Sequence, residues 1–262
     1  MNLKKCACID TLYTELPWEE KFLMAKKDGF DAIEFWDWRD KDLEAIRRAA
    51  EEAEIAISGF NGDADYSLVD PSHKEKYLDY LRQSIKAAKK VGALSLTIHS
   101  NALGEGGIVV NHYKDLSNTV KLCSMYDTLL ECAKIAEVEE INLNLEALNV
   151  TTDHVGNFLE FTQMGAEICS LINSPRLSLL YDIYHMQINE GCICDTISNY
   201  HEWFGHVHVA DVPRRHEPGT GEVNYKKVLR HLEECGYKGY VGYELFPLKD
   251  TTQAVKQIMK EC

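Results

Sequence analysis

Short apolar runs, several of them alternating with polar residues, recur along this chain. Each is followed by a longer charged stretch whose apolar residues return at helical spacing. The runs predict strands over 5–10, 32–36, 55–60, 94–99, 141–146, 177–182, 206–210 and 240–245. The intervening stretches predict helices near 17–28, 40–53, 72–91, 115–138, 154–173, 194–203, 224–235 and 250–260. Pro17 suits the first helical position, with Glu19 and Glu20 favourable in the first turn. Asp70-Pro71-Ser72 reads as a second helix start. The segments AKKDGFDAIEF, AKKVGALSLTI and EECGYKGYVGYEL share one order of features: helix end, glycine, strand. Gly29, Gly92 and Gly236 fit the left-handed residue that closes a helix. Eight β–α units without a linker predict an α/β fold, a single (β/α)8 TIM barrel over residues 1–262. An open doubly wound sheet is the alternative, weakened because no GxGxxG follows the first strand.

Alternation sorts each strand into a face toward the helices and a face toward the barrel interior. Ile141, Leu143 and Leu145 fall outward, leaving Asn142, Asn144 and Glu146 inward. The same reading puts Asp182, His206, His208, Gly242 and Glu244 inside, with Ser95, Thr97, His99 and Glu34 on other strands. Four consecutive strands thus bring Glu146, Asp182, His208 and Glu244 to the interior at or near their C-terminal ends, where barrels of this kind place their sites. Three carboxylates in one mouth repel unless a cation joins them. Three oxygens and one nitrogen suit Mn²⁺ or Mg²⁺, with Co²⁺ or Zn²⁺ as alternatives. Residues beyond the strand ends add polar groups. His185 follows Asp182 by three residues, and Arg214 and Arg215 lie beyond His208. Either arginine supplies a local cation for a substrate carboxylate or hydroxyls. His206, one layer deeper, reads as structural, and Glu34 as a wall or structural carboxylate. His99 reads equally as a site wall or a core residue.

Composition narrows the partners. A net charge of −14 disfavours nucleic acid, which binds through phosphate neutralisation. No apolar run reaches the length of a membrane span, and the start MNLKKCACID lacks the apolar core of a signal peptide. Nine cysteines, an odd number without a CxxC pair, point to free thiols and a cytoplasmic location.

The motifs YDIYHMQ at 181–187 and HEPGTGEVNY at 216–225, with GFDAIEFW and LNLEALN, resemble the hydroxypyruvate isomerases among the xylose isomerase-like sugar isomerases and epimerases. The resemblance covers nearly the whole chain. It implies Glu146 and Glu244 as the acid/base pair, Asp182 and His208 completing the metal shell, and His185 and Arg214 holding substrate; His99, a further substrate-binding candidate from the strand face, departs from the hydroxypyruvate enzymes. It implies a small sugar or hydroxy-keto acid as substrate, hydroxypyruvate to tartronate semialdehyde being the leading conversion, with a homo-oligomer by analogy. His208 departs from the glutamine usual in hydroxypyruvate isomerases. The ketose 3-epimerases carry histidine there, so an epimerase or another sugar or inosose isomerase is the alternative. A non-catalytic sugar-binding barrel, a subunit of a C-glycoside-cleaving lyase and an endonuclease IV-type nuclease are readings of other classes.

Overall fold

Eight parallel strands close on themselves in chain order in the computed structural model, which describes residues 2–262. They are β1 Lys4–Cys8, β2 Ala32–Phe35, β3 Ala56–Asn61, β4 Ser95–His99, β5 Asn142–Glu146, β6 Leu177–Asp182, β7 Phe204–His208 and β8 Tyr240–Tyr243. The helices are α1 Trp18–Lys27, α2 Leu43–Ala53, α3 Lys74–Val91, α4 Asn118–Glu139, α5 Thr162–Ile172, α6 Ile183–Asn189, α7 Ile193–Tyr200, α8 Tyr225–Glu234 and α9 Thr251–Glu261. This is the TIM barrel that the alternation predicts. Among the described residues, no helix is long and apolar enough to cross a membrane.

The alternation sets the layers. Ile33, Leu143, Leu145, Val207 and Val241 leave the strands outward and are wholly buried, as are Phe22, Ile46, Leu81 and Leu129 on the helices. Both sets belong to one apolar core, whose burial is the main drive to close the barrel. Helix starts are marked by side chains that accept backbone N–H groups: Asp42 for α2, Ser117 for α4, Asp250 for α9. Gly92 ends α3 in the left-handed conformation (φ 76°), as the sequence predicts.

Two segments differ from the sequence reading. Residues 154–161 form a loop, and α5 begins only at Thr162. Asn149 Oδ1 accepts from the amides of Thr152 and Asp153, and Gly156 takes φ 92°, so the local backbone is bent away from helix. Conversely, His185 stands in a short helix, not a loop. Asp182 Oδ1 accepts from the amides of Tyr184 (2.7 Å) and His185 (3.3 Å) and starts α6 at the end of β6.

Candidate active site

The C-terminal ends of the strands open onto a cavity of about 900 Å³. Strand register carries the acidic groups to one level: Glu146 pairs with His99, Asp182 with His208, and His208 with Gly242. His208 Nδ1 is the hub. It lies 4.0 Å from Glu146 Oε1, 3.9 Å from Asp182 Oδ2 and 3.7 Å from Glu244 Oε2. Nδ1 and Glu146 Oε1 are both buried without a hydrogen-bond partner. Donor atoms that share one divalent ion at about 2.0–2.3 Å lie roughly 3–4.5 Å apart. Asp182, His208 and Glu244 bring donor atoms within 4.8 Å of one another, and Glu146, Asp182 and His185 form a second such set, so these are the groups that would hold a divalent cation. Glu146, Asp182 and His208 each have an orienting contact that leaves one atom directed inward, whereas both oxygens of Glu244 are engaged, Oε1 by Trp36 and Oε2 by Arg215.

Those contacts come from residues behind the cluster. Glu34 Oε1 lies 3.1 Å from His208 Nε2, and Oε2 lies 2.8 Å from His206 Nε2. Nε2 of His208 therefore carries the proton and Nδ1 keeps its lone pair for the cluster when the ring is neutral. Burial opposes ionisation of Glu34, but the charges and hydrogen bonds of His208 and His206 outweigh it and hold the carboxyl well below the usual range. Burial likewise opposes protonation of His208, and Glu34 with Glu244 and Glu146 overcomes it, raising the imidazole to about 10. Gly242 makes this packing possible: a Cβ there would lie 2.4 Å from Glu34 Oε1, 2.7 Å from His208 Cδ2 and 2.8 Å from His206 Nε2.

Glu146 is tethered by one oxygen and Glu244 by both. His99 Nε2 lies 3.1 Å from Glu146 Oε2, while His99 Nδ1 lies 3.0 Å from Asp63 Oδ1. Burial disfavours charge on His99, yet Asp63 and Glu146 raise it to about 10, an imidazolium between two carboxylates. Both ring nitrogens of His99 are thus engaged, which corrects its expected place as a substrate ligand: it holds Glu146. Trp36 Nε1 donates to Glu244 Oε1. Burial raises Asp182 to about 7, with Glu146 and Glu244 adding to the rise and Arg215 opposing it. Burial also disfavours the Glu244 carboxylate, but Arg215 and His208 hold its carboxyl below the usual range.

The two residues expected to hold substrate have different fates. His185 is fully buried beside the cluster, its Nε2 3.5 Å from Asp182 Oδ2. Asn149 Nδ2 donates to its Nδ1 at 2.8 Å, so Nε2 bears the proton. Burial, then Arg215, keeps this imidazole well below the usual histidine range. Arg214, expected to hold substrate, is exposed at the rim of the cavity. Its neighbour Arg215 enters the cluster instead: Nη2 donates to Glu244 Oε2 and lies 3.9 Å from Asp182 Oδ2. Arg215 has a left-handed backbone (φ 58°) in a turn that Asp211 organises. Asp211 Oδ2 accepts from the amides of Gly219 and Gly221, and Oδ1 from those of Val212 and Val223. The sequence reading missed Asp63 and Asp211, which lie outside any periodic run. Their signal is only an aspartate just beyond a strand end.

A family described as the xylose isomerase-like TIM barrel matches residues 22–262. The putative hydroxypyruvate isomerase of Danio rerio is 28% identical over 98% of this chain and 95% of that protein. The hydroxypyruvate isomerase of Escherichia coli K12 is 26% identical over 96% of each. Among solved structures, a family 2 AP endonuclease from Brucella melitensis superposes with a TM-score of 0.89 at 24% identity, over 98% of both chains, a likeness of fold.

Proposed function

The chain belongs to the xylose isomerase-like TIM barrel family, and from that premise we propose that it is a divalent-metal-dependent isomerase of a small α-hydroxycarbonyl compound. The supporting observation is the convergence of Glu146, Asp182, Glu244 and the unpartnered Nδ1 of His208 within 4.0 Å of that nitrogen. The hydroxypyruvate isomerases named among the relatives catalyse this class of reaction, and hydroxypyruvate is the first compound to assay.

A bound cation supplies Lewis-acid polarisation of the substrate carbonyl, which acidifies the neighbouring C–H. The chain's own groups do the rest. Glu146, held through Oε2 by His99, offers Oε1 as the base for that proton. Glu244, held through Oε1 by Trp36, presents Oε2, paired with Arg215, from three strands further round the barrel. Charge developing on the carbonyl oxygen is met by the Arg215 guanidinium, which lies beside His185 Nε2. A proton returned to the adjacent carbon gives an aldose–ketose type product. One returned to the same carbon from the other carboxylate gives an epimer.

The test is solvent deuterium uptake with Mn²⁺ present, read by NMR on hydroxypyruvate and on neutral ketoses. We expect exchange in the wild type and its loss by about 10²–10⁴-fold in Glu146→Gln and Glu244→Gln, each with an unchanged circular dichroism spectrum. Full exchange in either variant, or the same rate in excess EDTA, rejects the reading.

A further inference from the structure

We infer that the substrate has a neutral hydroxylated tail beyond its reacting carbons, and that His154 Nε2 accepts a hydrogen bond from a hydroxyl of that tail. The inference rests on the isomerase reading and narrows its substrate class.

His154 sits in the loop after β5 and forms part of the cavity wall, 6% exposed. Its Nδ1 lies 2.6 Å from the carbonyl oxygen of Gly107. A carbonyl only accepts, so Nδ1 carries the proton and donates. Burial keeps this imidazole below the usual histidine range, which leaves Nε2 as a bare acceptor. Nε2 is buried and has no partner among the described residues. Native structures seldom leave such an atom unpaired without a use for it. The ring is also held in place: a Cβ on Gly107 would come within 2.7 Å of His154 Cε1, and Gly107 has φ 77°.

Its position suits a substrate tail. The ring meets His185 edge to face with centroids 5.0 Å apart, and His185 in turn faces Asp182. His154 therefore lies one imidazole outward from the carboxylate cluster, where atoms past the reacting pair would fall. A hydroxyl can donate to Nε2, whereas a carboxylate would set lone pairs against a lone pair.

The charge of the wall agrees. Eight carboxylates and three arginines line the cavity. Arg39 is bound to Asp37 and Asp65, and Arg215 to Glu244. Arg214, exposed at the rim, is the one lining arginine without an acidic partner among the described residues. An anionic tail would depend on it. About 900 Å³ is also far more room than a three-carbon acid occupies.

The experiment measures kcat/KM with Mn²⁺ on hydroxypyruvate, D-fructose, D-tagatose and L-ribulose. It uses the wild type, His154→Phe, His154→Gln and Arg214→Met, with binding followed in parallel by saturation-transfer NMR. We expect at least one ketose to exceed hydroxypyruvate by about tenfold. We expect His154→Phe to lower that ketose's kcat/KM by about 10- to 100-fold. His154→Gln, which offers an amide oxygen, recovers part of the loss, and Arg214→Met gives the smaller effect. A preference for hydroxypyruvate that collapses in Arg214→Met but survives His154→Phe overturns the inference. If no compound turns over, the isomerase reading fails, and binding decides the subsite. Ketose contacts weakened in His154→Phe support it, and unaltered contacts overturn it. Should His154→Phe fail to fold, a loss confined to the ketoses in His154→Gln supports the inference, and an equal loss on hydroxypyruvate overturns it.

Discussion

At the scale of single residues, the site depends on what each ligand atom leaves free. Glu34 matters because it decides which nitrogen of His208 bears the proton. Glu34→Gln can present its amide nitrogen where an acceptor is required, and it leaves both His206 and His208 without their anion. We expect Mn²⁺ affinity, measured by calorimetry, to fall about 10- to 100-fold with little change in secondary structure. Glu34→Asp should lie between the two. Wild-type affinity in the glutamine variant would show that His208 needs no such support. The four inward ligands were legible in the sequence because strand alternation has a strict period of two. Asp63, which holds His99, was not, because a loop residue carries no period. The choice between Arg214 and Arg215 was illegible for a related reason: the left-handed backbone at Arg215 decides which side chain turns inward.

At the scale of elements, β5, β6, β7 and the residue after β8 carry Glu146, Asp182, His208 and Glu244, and the segments beyond the strands carry His185 and Arg215. The turn after β7 shows how much sequence such a segment needs. Four amides converge on Asp211, and a Cβ on Gly221 would lie 1.9 Å from the carbonyl oxygen of Val212. Gly221→Ala must displace this turn and carry Arg215 with it. We expect kcat/KM to drop at least tenfold, with Mn²⁺ affinity within threefold of wild type, since no metal ligand lies in the turn. Equal losses in both would place the turn in support of the metal shell instead. The helix misjudged over 154–161 has the same origin as this turn. Asn149 binds two nearby amides through its side chain, and composition does not reveal that competition. The barrel itself was legible because eight strand-like runs alternate with helical stretches, and three segments share the order helix end, glycine, strand.

At the scale of the whole molecule, a net charge of −14 and a mouth rich in carboxylates favour cations throughout. Burial raises Asp182 to about 7, above the ordinary carboxyl value, so at lower pH the proton competes with metal for its oxygen. Mn²⁺ affinity should therefore rise with pH through about 7 and on toward about 10, where the His208 imidazolium would also give up its proton, with protons released on binding. Titration calorimetry in buffers of different ionisation heat checks the sign, and an affinity that is flat from pH 5.5 to 8 would contradict it. Asp182 also has a second oxygen, and that one starts α6. The position thus answers to two selective pressures at once. A descendant that abandoned the chemistry would still need a side chain there able to begin a helix. Aspartate, or asparagine in its stead, is therefore a poor witness to activity when remote sequences are sorted into living enzymes and retired ones; Glu146, whose carboxylate starts no helix, is the better one.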